Sequence, residues 1–144
     1  MSHARETIFT AARVLLGAGF LLFGLNGLLQ FLPQPDVPPE AGAFLGALAA
    51  TGYMFPLIKW TEIVAGAMLL AGYRAPLALT LLAPILVNIL FYHAALDPAG
   101  ILPGLVLTVL ELVVVYRYRE AFAPLIGKHA VTGVRWRRSA ETTA

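Results

Sequence analysis

The chain alternates long apolar runs with short polar connections, and this pattern repeats four times. The runs cover residues 8–32, 53–72, 76–96 and 101–118. A helix that rises about 1.5 Å per residue needs about 20 apolar residues to cross the ~30 Å hydrocarbon core of a bilayer. Each run is close to that length. The pattern therefore predicts an all-α integral membrane four-helix bundle, with all four spans in one domain over residues 1–123.

The composition agrees with a membrane protein. Hydrophobic residues make up 59% of the chain and charged residues only 12%, whereas soluble domains contain about 25% charged residues. The chain has no cysteine, so a redox role would need a borrowed cofactor or a partner protein. The net charge of +2 is too small to indicate a nucleic-acid partner.

The connection between the first two runs predicts a short helix of its own. Residues 40–52 contain helix formers but are too few to span a membrane. Phe44, Leu45 and Leu48 lie on one face at helical spacing, as in helices that rest on an apolar surface. We therefore predict a short interfacial helix after "PQPDVPP". It is either a lid over the bundle or a plain surface connector.

Basic residues predict the orientation in the membrane. Nine of the ten Lys and Arg residues lie at the termini, in the second connection or at adjacent helix ends. The first and third connections carry Asp36, Glu40 and Asp97 and no basic residue. The positive-inside rule then places both termini in the cytoplasm and the first and third connections on the outer side of the membrane. The basic tail, residues 124–144, is predicted to contact anionic lipid headgroups at the membrane surface through Lys128, Arg135, Arg137 and Arg138.

Polar residues recur at helical spacing inside the apolar runs, so each run carries a polar stripe on one face. Burying an unpaired ion in hydrocarbon costs roughly 2.5–3.5 kcal/mol. The stripes should therefore face inward and meet in one polar pocket in the outer half of the bundle. A local ion pair in the second run and interhelical hydrogen bonds between amides are the alternatives. The candidate ligand-binding residues are Asn26, Gln30, Lys59, Glu62, Asn88, Tyr92, His93 and Glu111.

Catalytic residues cannot be assigned from motifs. The chain has neither a glycine-rich phosphate loop in a strand–helix context nor a serine-centred elbow. Glu62, His93 and Glu111 lack the Glu-x-x-His spacing of carboxylate–histidine metal sites in helical bundles. No metal site is therefore expected.

The segments "LLFGLNGLLQFLP" and "AFLGALAATGYMFPLIKWTEIVAGAMLLAGYRAPLALTLLAPILVNILFYHAALDPAG" resemble the DoxX family of small four-helix bacterial membrane proteins. The likeness covers roughly residues 8–123. It depends on the ordered set Asn26, Lys59, Glu62, Gly72 with Arg74, Asn88 and His93. The resemblance implies a multi-pass protein of the bacterial inner (cytoplasmic) membrane with a role in quinone-linked sulfur or oxidative-stress redox work.

Three functions fit these observations. In the first, the pocket binds a quinone or similar amphiphile: His93 or Lys59 would hydrogen-bond a carbonyl, Tyr92 and Phe91 would flank the ring, and Glu62 or Glu111 would exchange protons. In the second, the protein is a non-catalytic subunit that anchors or stabilises a redox enzyme. In the third, it transports a small solute or protons with the help of Glu111. A homodimer through small-residue faces and a monomer fit equally well.

Overall fold

The computed structural model describes residues 3–33 and 36–126, and all regular structure in these ranges is helical. Its elements are α1 (His3–Leu29), α2 (Pro39–Ala50), α3 (Met54–Ala71), α4 (Ala75–Leu96), a 3-10 turn (Pro98–Gly100), α5 (Ile101–Arg117) and α6 (Arg119–Ile126). The helices α1, α3, α4 and α5, the last together with the 3-10 turn, are long and apolar enough to cross a membrane. The predicted all-α, four-span membrane bundle is confirmed.

The largest boundary difference is in α1, which begins at His3 instead of residue 8 and ends at Leu29 instead of residue 32. Glu6 lies in its first turn, where a negative charge interacts favourably with the helix dipole. At the other end Gln30 adopts a positive φ of 51°. The Leu32 N–H donates to Asn26 Oδ1 at 2.8 Å, which fixes the chain as it leaves the helix.

The four spans form a ring in which α1 packs on α3 and α5, and α4 packs on the same two helices. The closest approach is between α1 and α3, where a Cβ on Gly17 would lie 2.8 Å from the carbonyl oxygen of Gly66. Small residues allow helix backbones to come this close. Gly24 and Gly27 also face α3. These glycines are therefore used inside the subunit, and they do not offer a surface for a homodimer.

The helix α2 lies between the first and second spans and packs on α3 and α4. The short helix predicted within residues 40–52 is present, and it begins one residue earlier and ends two residues earlier than that segment. Thr51 joins it to the next span, since its hydroxyl donates to the Leu48 carbonyl at 2.7 Å and accepts from the Met54 N–H at 3.0 Å. We call the end of the bundle that carries α2 and the 3-10 turn the α2 end. The other end, which carries His3 and Arg117, is the Arg117 end.

The Arg117 end contains an unusual helix cap. The Arg13 guanidinium of α1 donates to the carbonyl oxygens of Leu69 and Leu70, the latter at 3.2 Å. These carbonyls are in the last turn of α3, where carbonyls lack the usual helical partner four residues on, and Leu69 also accepts from the Gly72 N–H at 3.1 Å. Gly72 ends α3 with a φ of 67°, and a Cβ there would lie 3.1 Å from the Arg13 Nη1. Arg13 and Gly72 therefore both contribute to the C-terminal cap of α3.

The interior of the ring is apolar, and its fully buried large side chains include Leu16, Phe20, Leu69, Leu79 and Leu82. The buried ionisable residues of the described chain are Glu62, Asp97 and Glu111. Side chains on the outside of the ring are mostly large and apolar, as expected for contact with lipid. The helix α6 extends to Ile126. The predicted membrane-surface residues Lys128, Arg135, Arg137 and Arg138 lie outside the described residues.

Candidate functional site

A cavity of about 150 Å³ lies at the α2 end between α2, α3 and α4. Its walls are mainly aliphatic and aromatic, with two polar side chains on α3 and three on α4. We call this cavity the α2-end pocket. It is lined by Phe44, Leu45 and Leu48 of α2, by Phe55, Ile58, Lys59 and Glu62 of α3, and by Ile85, Asn88, Ile89, Tyr92 and His93 of α4.

An ion pair on α3 forms the most polar part of the α2-end pocket. The Lys59 ammonium lies 2.8 Å and 3.1 Å from the two carboxylate oxygens of Glu62. The two residues share a helix face because they are three positions apart. Glu62 is only 2% exposed, and the Lys59 ammonium also lies 5.6 Å from the centre of the Phe55 ring. The local ion pair, which was one of the alternatives in the sequence analysis, is thus present, and it lines the α2-end pocket.

Two glycines of helix α1 leave room for the side chains of the Lys59–Glu62 ion pair. A Cβ on Gly27 would lie 2.5 Å from Lys59 Cδ, and a Cβ on Gly24 would lie 3.1 Å from Glu62 Cβ. The Lys59 stem and the base of Glu62 therefore rest directly on the α1 backbone. A larger residue at either position would push the ion pair away from its present place.

Tyr92 connects α4 to α2 across the α2-end pocket. Its ring centre lies 5.7 Å from that of Phe44 and 4.9 Å, edge to face, from that of His93. Both distances are in the range of favourable aromatic pairs. The Tyr92 hydroxyl is buried and has no hydrogen-bond partner among the described residues. Buried hydroxyls almost always have a partner, so this one can serve a bound molecule.

His93 is held by the turn that follows α4. Its Nδ1 lies 3.1 Å from the Asp97 carbonyl oxygen and 3.2 Å from Asp97 Oδ2. Asp97 is itself 8% exposed. Gly100 lies so close that any Cβ there would meet the imidazole ring at 2.7 Å. The imidazole orientation is thus fixed by its own turn.

Five of the eight predicted ligand-binding residues come together in the α2-end pocket, namely Lys59, Glu62, Asn88, Tyr92 and His93. Asn88 lines it while remaining exposed. The other three lie elsewhere. Asn26 caps α1, Gln30 is exposed beyond the end of that helix, and Glu111 is buried on α5.

The aromatic walls of the α2-end pocket differ from those expected. Phe91, which we expected to flank a bound ring, is 71% exposed and does not line the cavity. Phe44 and Phe55 supply the aromatic faces instead. Phe55 lies one turn before Lys59, so applying the helical-spacing rule to apolar neighbours of each polar residue would have found it. The pairing of His93 with Asp97 follows the same spacing.

The pocket combines an apolar space of ring size with charged and uncharged hydrogen-bonding groups. An engineered apolar cavity of this volume holds benzene. Within the residues that the structure describes, no three His, Asp or Glu side chains lie close enough together to hold a metal ion. No family model matches the chain, and the comparisons with curated proteins and with solved structures also find no match.

Proposed function

We propose that this multi-pass membrane protein binds a quinone, or an amphiphile of similar size, in the α2-end pocket as part of a membrane redox system. The observation that carries the proposal is the cavity itself. It places a partly buried ion pair, and a phenol without a hydrogen-bond partner in the described chain, beside an apolar space that fits one six-membered ring.

The walls of the α2-end pocket suit the body of such a ligand. Phe44 and Phe55 can contact the faces or edges of a ring. Leu45, Leu48 and Ile85 supply aliphatic surface for its substituents. Small-molecule sites in proteins typically combine mostly apolar walls with a few polar groups that fix the orientation of the ligand.

The polar groups suit the two carbonyl oxygens of a quinone, which are hydrogen-bond acceptors. A lysine ammonium has three donors, and the two oxygens of Glu62 accept from Lys59, which leaves one donor for a ligand. The Tyr92 hydroxyl is a second donor without a partner in the described chain. Glu62 is in place to exchange a proton with the Lys59 ammonium or with the ligand.

The cellular setting of the proposal comes from charge and from the DoxX resemblance. Arg5, Arg13, Arg74, Arg117 and Arg119 belong to the Arg117 end. By the positive-inside rule that end faces the cytoplasm, and the α2 end faces outward. The resemblance adds the bacterial inner membrane and a redox enzyme as the partner that exchanges electrons with the quinone.

The proposal is tested with Tyr92→Phe, which removes only the hydroxyl. Saturable binding of a radiolabelled benzoquinone with a ten-carbon tail is measured by equilibrium dialysis on protein in lipid nanodiscs, with empty nanodiscs as the blank. One lost hydrogen bond of about 0.5–1.5 kcal/mol should weaken binding roughly 2- to 12-fold. The matched control is Tyr116→Phe, because Tyr116 is 54% exposed at the Arg117 end.

Two further variants make the test decisive. Glu62→Gln and His93→Ala should reduce binding, while circular dichroism shows that each variant remains helical. If the wild type shows no saturable binding above the empty nanodiscs, the proposal is wrong. It is also wrong if all three pocket variants bind as the wild type does. Co-purification of a redox enzyme without quinone binding would instead favour the non-catalytic subunit.

A further inference from the structure

A second buried acid, Glu111, lies away from the α2-end pocket. It is 6% exposed and belongs to α5. The face of α5 that carries it also carries Gly104, Leu107 and Val114, which are buried as well. Leu107 and Val114 are members of the apolar core. The Glu111 carboxyl is therefore flanked, one turn away on each side, by apolar core side chains.

The register of the helices separates Glu111 from the α2-end pocket. A Cβ on Gly104 would lie 3.2 Å from Ile89 of α4, and Ile89 lines the pocket. Glu111 is seven residues further along α5, which is about 10 Å toward the Arg117 end. It is only six residues, about 9 Å, from Arg117 itself. Glu111 is thus closer to the Arg117 end than to the α2 end.

Neither carboxyl oxygen of Glu111 has a hydrogen-bond partner in the described chain. The nearest polar side chain on α5, Thr108, donates its hydroxyl to the Gly104 carbonyl at 2.7 Å. The cations closest in depth interact with other groups. Arg13 donates to carbonyls of α3, and Arg117 lies 3.6 Å from Glu6.

An ionised carboxylate without a partner would be costly at this depth. Removing such an ion from water costs several kcal/mol even after the protein relaxes, and a group in this position generally neutralises. A metal cation would need several oxygen or nitrogen ligands, and the described residues hold no such cluster. A proton needs only the carboxyl group.

We infer that Glu111 is a proton-binding site in the bundle interior, separate from the α2-end pocket and nearer to the Arg117 end. The protein can thus store one proton within the hydrocarbon core. It would release that proton only when a base or a cation reaches the carboxyl group.

Infrared difference spectroscopy between the wild type and each variant in lipid bilayers, which cancels the ester carbonyl band of the lipids, tests this inference directly. At neutral pH the wild type should show the carbonyl stretching band of a protonated carboxylic acid without a hydrogen bond. The band should be missing in Glu111→Gln and unchanged in Glu62→Gln, the matched control, because Glu62 is paired with Lys59. In D₂O the band should shift as the proton exchanges. No band in the wild type, or a band that persists in Glu111→Gln, would overturn the inference.

Carbodiimide labelling keeps the inference testable if Glu111→Gln does not fold. Dicyclohexylcarbodiimide is lipid-soluble and reacts with protonated carboxyl groups. Peptide mass spectrometry of the labelled wild type should find the adduct on Glu111 and not on Glu62. An adduct on Glu62 alone, or no adduct on either residue, would contradict the proton-binding site.

Discussion

Glu62 and Glu111 are both buried acids in the same small bundle, but their surroundings differ. Glu62 lies against Lys59 and lines a cavity. Glu111 lies between apolar core residues and has no partner in the described chain. The buried position of a carboxyl group in a membrane protein therefore does not by itself indicate its role. The cation within hydrogen-bond distance of Glu62 is what distinguishes the ligand site that we propose there from the proton-binding site that we infer at Glu111.

The two acids also belong to different helix contacts. Glu62 lies where α1 and α3 meet through Gly17, Gly24 and Gly66, and the backbones come almost into contact there. Glu111 belongs to α5, whose contact with α1 places the tip of Leu107 against Gly19. Backbone atoms cannot move aside, whereas the tip of a leucine can rotate. We therefore expect the Glu62 region to be the more rigid of the two.

Removing the cation from Glu62 should have the largest effect. Lys59→Met leaves a buried carboxylate without its partner, which typically costs about 3–5 kcal/mol. The free energy of unfolding is measured in mixed micelles of SDS and a mild detergent, followed by circular dichroism. Glu111→Gln should change it by less than about 1 kcal/mol, because the carboxyl that it replaces has no partner.

The double variant Lys59→Met/Glu62→Leu provides the control for this comparison. Replacing both partners of a buried pair by apolar residues is often close to neutral, so stability should return toward that of the wild type. If Lys59→Met is as stable as Glu111→Gln, the Lys59–Glu62 pair does not keep Glu62 charged, and the contrast between the two acids fails.

Sequence reasoning found the spans, and it gave the Lys59–Glu62 ion pair as one alternative. Apolar length alone located the four spans, and the three-residue spacing of Lys59 and Glu62 indicated their ion pair. It could not find the order and rotation of the helices. We assigned Glu111 to the shared pocket because its depth along its own helix was all that the sequence showed. The ring order depends on close contacts such as that of Gly17 with Gly66, which a single sequence does not reveal.

Two glycine variants test whether the contact of α1 with α3 is more rigid than the contact of α1 with α5. In Gly24→Ala the new Cβ would lie 2.9 Å from Ile63 Cγ1 and 3.1 Å from the Ile63 backbone nitrogen. Such overpacking typically costs about 1–3 kcal/mol. In Gly19→Ala the Cβ would meet only Leu107 Cδ2, at 2.8 Å, and this methyl can rotate away. We expect the same unfolding assay to show a clear loss for Gly24→Ala and little change for Gly19→Ala. Equal losses would mean that the contact of α1 with α5 is as rigid as its contact with α3.

The smallest expected effect concerns the exposed ion pair at the Arg117 end. Glu6 and Arg117 lie 3.6 Å apart with side chains that are 47% and 39% exposed, so water and salt screen them, unlike Lys59 and Glu62. Exposed pairs contribute about 0–1 kcal/mol. Glu6→Gln should therefore lower the free energy of unfolding by less than about 1 kcal/mol, and the loss should shrink further in 1 M salt. A loss as large as that of Lys59→Met would show that pairing matters equally at both ends, and that burial is not what makes the Lys59–Glu62 pair important.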